Sequence, residues 1–216
     1  MNVLSELSRQ GKARRLSKGV YALGERAGRR LEPTPAMRRV ARALAAALPA
    51  LEPVLSSTGQ VAHLMHNLSA REIVLVQATR ASGRDVVQTL AAAGMTAAVV
   101  SSRADMERLL DLPGQTLVVV LPVGDARASE PFAGVRVARP ERVLVDLAVE
   151  RDRVGLPMYA EDVVEVGRHL LADYDFSISR ALDYARRRRA YDRTASLLRD
   201  LIADDPLLRA YAEALP

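Results

Sequence analysis

Three histidines, His63, His66 and His169, are the only imidazoles in the chain. His63 and His66 stand three apart, a spacing that puts two ring nitrogens on one face of a helix, as a metal site needs. The chain has no cysteine, and only Glu72 follows at short range, so the remaining ligands are missing and no metal is expected. Asp146 sits between Val145 and Leu147 in an apolar stretch. A carboxylate among apolar neighbours needs a cation. Arg142, four residues earlier on a helix, is in reach; Arg71 or an arginine of the C-terminal part are the other candidates. This reading makes Asp146 a structural ion-pair partner and not a proton-transfer group. Lys12 and Lys18 are the only lysines, so nothing after them offers carboxylate-plus-lysine nuclease chemistry. There is neither a glycine-rich phosphate loop closed by Lys-Ser/Thr nor a Gly-x-Ser-x-Gly turn. No catalytic residue and no cofactor are expected, and the chain is not read as an enzyme.

The residue type that dominates is arginine. The net charge is +5, but it is unevenly placed. Residues 1–42 hold eleven Arg or Lys against three Glu, a net +8, so the rest carries −3. A basic head on a near-neutral body points to a polyanion partner. Lys12, Arg14, Arg15 and Lys18 flank the turn of an expected β-hairpin, with Arg9 at the end of an expected helix before it. Cations so placed contact phosphates or the minor groove of double-stranded DNA, which positions a protein without reading sequence. Base reading would fall to Asn2, Ser5, Arg9 and Gln10 on the helix. The second cluster is Arg186-Arg187-Arg188-Arg189, with Arg180 and Arg193 near it and Tyr184 and Tyr191 on either side. Four consecutive arginines spread around a helix and form no flat patch. Arg186 and Arg187 are therefore read as structural or protein-contact residues, with Asp183, Asp192 and Asp200 as candidate partners and nucleic-acid contact as the alternative.

These residues need elements to hold them. The spacing predicts a short helix over 1–10 closed by Gly11, then a hairpin over 12–22 with Ser17-Lys18-Gly19 as its turn. Residues 24–33 read as a linker. Thr34 followed by Pro35 announces a helix over 36–48. Strands are expected at 54–57, 73–78, 97–100, 116–121 and 134–138. Helices are expected from Thr58 to His66, at 84–93 and at 103–110, then from Pro140 to about 150. The tail reads as helices near 159–172, 178–190 and 192–203, with a short piece at 206–214. The fold class is mixed α/β with helical C-terminal segments, preceded by an incomplete winged helix-turn-helix. Residues 1–30 form that partial winged element and linker; residues 31–216 form the α/β domain. No apolar run is long enough for a membrane span and no secretory leader opens the chain, so a cytoplasmic protein is expected.

Four segments together resemble a known family. Leu7-Ser8-Arg9-Gln10-Gly11-Lys12-Ala13-Arg14-Arg15-Leu16-Ser17-Lys18-Gly19-Val20-Tyr21 is similar to the hairpin of the AbiEi-like antitoxins of type IV toxin–antitoxin systems, which are also transcriptional regulators. His66-Asn67-Leu68-Ser69-Ala70-Arg71-Glu72-Ile73 resembles the segment before the first strand of their second domain. Arg139-Pro140-Glu141-Arg142-Val143-Leu144-Val145-Asp146-Leu147 resembles their most recognisable helix, and the stretch from Ser179 to Arg188 resembles a late one. The resemblance implies a regulator that binds double-stranded DNA at its own promoter through Lys12, Arg14, Arg15 and Lys18. It also implies a body that opposes a nucleotidyltransferase-like toxin, without a required stable complex. In that family helices precede the hairpin helix, so Met1 would fall within the recognition helix. The alternatives are a protein-interaction module without specific DNA binding and a divergent nuclease-like enzyme.

Overall fold

The structure, a computed structural model, describes residues 13–17, 20–23, 29–66 and 71–203. Strands β1 (Ala13–Ser17) and β2 (Val20–Leu23) form the expected antiparallel hairpin. Arg14 stands opposite Ala22 and Arg15 opposite Tyr21, and the register shifts between Arg15 and Ser17. The expected helix over 1–10 lies outside the described residues, as do Arg9, Lys12 and Lys18. The end of the linker is tied to the body: the Arg29 amide donates to the Asp173 carbonyl at 3.0 Å, and the Asp175 amide donates to Arg29 at 3.0 Å.

The body is built on one mixed six-stranded sheet. Helix α1 (Pro35–Ala47) precedes it, followed by β3 (Val54–Ser57), β4 (Glu72–Ala78), α2 (Gly83–Ala92), β5 (Thr96–Val99), α3 (Arg103–Leu110), β6 (Thr116–Pro122), β7 (Ser129–Phe132) and β8 (Val135–Ala138). Four helices close the described chain: α4 (Pro140–Arg153), α5 (Ala160–Asp173), α6 (Ile178–Arg187) and α7 (Tyr191–Ala203). The strand order is β5-β6-β4-β3-β8-β7. Strands β5, β6 and β4 run parallel, β3 is antiparallel to β4, and β7 is antiparallel to β8.

Alternation along β4 and β6 sends side chains to two layers. Ile73, Leu75, Leu117, Val119 and Leu121 pack with α3 to α7. Val74, Val76, Val118 and Val120 pack with α1 and α2. Both faces are covered, which is why these strands read as continuous apolar runs. Helix α1 buries Met37, Val40, Ala41 and Leu44, one stripe at helical spacing. The Thr34 hydroxyl accepts from the Met37 amide at 3.2 Å, and Pro35 opens the first turn. Among the described residues no helix is long and apolar enough to cross a membrane.

Two expectations are corrected. Residues 58–66 form two short 3₁₀ turns, Thr58–Gln60 and Ala62–Leu64, in place of one helix. Ser57, not Thr58, is the cap: its hydroxyl accepts from the Gly59 amide at 2.9 Å, while the Thr58 hydroxyl accepts from the Ile73 amide at 3.0 Å. A side chain engaged with the neighbouring strand cannot also start a helix. Strand β7 is an addition to the expected elements. Its Ser-Glu-Pro-Phe sequence has no apolar alternation, but Pro131 suits an edge strand. Ala133 and Gly134, with φ of 45° and 81°, make the two-residue loop that joins it to β8.

Candidate functional site

A polar cluster sits between the sheet and the C-terminal helices. Gln77, on β4, is the only polar residue in the interior of that strand. Its Nε2 donates to Asp146 Oδ2 at 2.6 Å, and its Oε1 accepts from Arg142 Nε at 2.8 Å. Arg142 and Asp146 lie one turn apart on α4 with Nε and Oδ2 at 3.4 Å, both fully buried. The spare donors of Arg142 go to the carbonyls of Asp125 at 2.6 Å and Arg127 at 2.7 Å. The Tyr184 hydroxyl, from α6, donates to Asp146 Oδ1 at 2.8 Å, and the Arg142 guanidinium lies 4.7 Å over its ring. Arg188, just past α6, completes the cluster with bonds to Asp146 and Glu150. Glu150 also takes Arg153 at 2.6 Å.

The electrostatics follow from this packing. Burial pushes the Tyr184 hydroxyl well above the ordinary tyrosine range, and the Asp146 carboxylate adds to the shift. Burial opposes the charge on Arg188, but Asp146, Tyr184 and Glu150 together outweigh it and hold the proton more tightly than usual. A carboxylate so held serves as an anchor. It ties α4 and α6 to the sheet, and removing one partner would strand a buried charge. A second anchor lies nearby. Glu141 is fully buried; its Oε1 accepts from the Ser177 amide and from Arg180 Nε, each at 2.8 Å. Arg139, 3.7 Å from Glu141 Oε2, pairs with Asp175 at 2.5 Å.

The outer side of α6 is different. Arg186 pairs with Asp183 at 2.8 Å and stacks 4.5 Å over the Tyr191 ring. Arg193 pairs with Asp152 at 2.5 Å. Burial works against the Asp152 charge, yet hydrogen bonds from Arg151 and Arg193 win and lower its pKa. Arg187 and Arg189 are exposed and have no side-chain partner among the described residues. Arg189 holds φ of 53°, a left-handed conformation that costs a non-glycine residue about 1–2 kcal/mol. It follows the C-cap Arg188, and the next amide, that of Ala190, donates to Ala185 at 2.9 Å. Strand β1, which carries Arg14 and Arg15, runs beside α6. The hairpin strand and this helix, far apart in the sequence, are therefore packed side by side.

The structure therefore joins Asp146 to Arg142, as the spacing predicts, and takes its second cation from the tail. Arg71 is not that partner: its Nη1 donates to the carbonyls of Leu110 at 2.6 Å and Leu112 at 2.9 Å. Of the arginine run, Arg186 is structural, while Arg187 stays at the surface. Gln77 and Glu150 are members that the sequence reading does not single out, while Tyr184 and Arg188 read there as part of the arginine run and not as partners of Asp146. A lone glutamine inside the apolar run 73–78 was the available signal. His63 lies on a 3₁₀ turn, with Nε2 3.1 Å from the Tyr174 hydroxyl, so the helical spacing with His66 is not realised. Among the described residues no group of three or more His, Cys, Asp or Glu is placed to hold a metal ion.

A family model described as a family of unknown function (DUF6577) matches residues 1–204. No curated protein and no solved structure matches the chain.

Proposed function

The chain belongs to the DUF6577 family, and from the geometry above we propose that it is a DNA-binding antitoxin: a cytoplasmic repressor of its own operon that opposes a nucleotidyltransferase-like toxin. The observation that carries this reading is the position of β1 beside α6. The helix that β1 packs against ends in Arg187 and is followed by Arg189, both exposed and without a side-chain partner among the described residues, which supports the reading. Neighbouring arginines repel, and a surface that gathers them is matched by a phosphate backbone. Double-stranded DNA is the partner, with contacts from Arg14, Arg15, Arg187 and Arg189. The strained backbone at Arg189, where glycine would sit at lower cost, supports a role for its side chain beyond packing.

The role is one of binding. The buried carboxylates Asp146, Glu150 and Glu141 are each engaged by arginine, which favours regulation over nuclease-like chemistry. The test is in cells. The chain is expressed with its own promoter driving a reporter, and separately with a nucleotidyltransferase-like toxin. Repression of the reporter and relief of growth arrest are expected. Relief without repression would leave the protein-interaction reading in its place, and neither effect would overturn the proposal.

A further inference from the structure

At the amino ends of β4, β5 and β6, away from the arginine surface, the body holds a cleft of about 530 Å³. Small-molecule sites fall in the range of roughly 300–1,000 Å³. Arg39 of α1 and Glu72 at the start of β4 both line it, together with the turns that lead into β5 and β6. Glu72 is set in place with care. Its Oε1 accepts from the Thr34 hydroxyl at 2.5 Å and from the Ser57 hydroxyl, itself buried, at 2.6 Å. A Cβ at Gly59 would come within 2.7 Å of the Glu72 carboxyl carbon, so a larger residue there would shift the carboxylate. The second oxygen, Oε2, takes no hydrogen bond from a described residue.

Arg39 is fixed on the other side. Its Nη2 donates to the carbonyls of Ala93 at 3.1 Å and Gly94 at 3.4 Å, closing the end of α2, and its other donors have no described partner. The two charges line the same space yet make no ion pair with each other. Gly94 and Gly114, with φ of 70° and 130°, border the cleft without side chains of their own, beside Met95, Thr96, Gln115 and Thr116. A charged carboxylate and a charged guanidinium, each with free hydrogen-bonding capacity, are best met by one ligand carrying both opposite charges.

We propose that this cleft binds a small α-amino carboxylate, a free amino acid or dipeptide, with its ammonium on Glu72 and its carboxylate on Arg39. The site does not depend on the DNA reading and stands if that reading fails. The full chain is titrated with glycylglycine and with each of the common amino acids, followed by amide NMR shifts and calorimetry. At least one is expected to bind with a Kd of about 1 mM or tighter. Its N-acetyl form and its methyl ester should each bind about tenfold more weakly, a loss of about 1.4 kcal/mol. Glu72→Gln and Arg39→Gln should weaken binding by a similar factor. Glu72→Gln keeps an acceptor for Thr34 and Ser57, and Arg39 is exposed; circular dichroism checks that both fold. If Glu72→Gln does not fold, Arg39→Gln and the two blocked ligands decide. No binding by any probe, binding indifferent to both substitutions, or full binding of a blocked form would each overturn the proposal.

Discussion

The two ends of β4 treat a polar side chain in opposite ways. Glu72 and Gln77 are five residues apart, about 16 Å along the strand, and their side chains belong to opposite layers. Gln77 is sealed: it is 2% exposed, and both its amide oxygen and its amide nitrogen are bonded to buried charges. Glu72 is bonded through one oxygen only and borders a cleft. A fully satisfied polar group in a low-dielectric interior fixes how elements dock. A carboxylate fixed through one oxygen, with the other open to a cleft, is placed to meet a ligand. The sealed end holds the helices that carry the arginine surface, while the cleft end is free of that duty.

Substitutions at the two ends sharpen this contrast. The largest effect is expected at the sealed end. Asp146→Ala removes the acceptor shared by Gln77, Arg142, Tyr184 and Arg188 and should cost about 3–5 kcal/mol in urea unfolding. A loss below about 1 kcal/mol would show that the cluster is not an anchor. Tyr184 gives a pH signature of the same seal. Its folded pKa is raised, so the folded state keeps a proton that the unfolded chain releases near pH 10. Its contribution is intact below that pH. As pH rises further, stability should fall by up to about 1.4 kcal/mol per unit. Tyr184→Phe is destabilised at neutral pH by loss of the bond to Asp146 but should show a smaller alkaline decline than the parent. Equal declines would mean the hydroxyl is not shielded.

Smaller effects are expected outside the seal. Arg189→Gly relieves the left-handed backbone and should stabilise the fold by about 1 kcal/mol in thermal unfolding, while weakening DNA binding. A destabilised variant would point to packing by the arginine side chain. At the cleft end, Glu72→Gln should change stability by less than about 1 kcal/mol, because the acceptor for Thr34 and Ser57 survives. A loss as large as that of Asp146→Ala would erase the distinction between the two ends.

Much of the framework was legible in the residues. Helix α3 covers the expected 103–110, with the Ser102 hydroxyl as its N-cap, and β6 follows its apolar run. The pairing of Arg142 with Asp146 could be read from helical spacing, because it lies within one element. The second cation could not. Nothing local distinguishes Arg188, nearly buried, from Arg187 and Arg189 beside it; the difference comes from α6 packing on α4. Glu72 was hidden for the same reason. At the start of a strand it reads as a solvated end, and its role depends on Thr34 and Gly59, which reach it only in the fold. Residue by residue, what stayed unread depends on packing between distant segments.

Salt-dependent titration with the promoter duplex tests most directly whether the hairpin and the end of α6 form one DNA-binding surface. The affinity of the parent chain should fall steeply as salt rises. Arg14→Ala with Arg15→Ala and, separately, Arg187→Ala with Arg189→Ala should each reduce the slope of log K against log salt by nearly 2, about 0.9 for each phosphate no longer neutralised. An unchanged slope in the Arg187 and Arg189 variant, or no binding by the parent at low salt, would contradict the account.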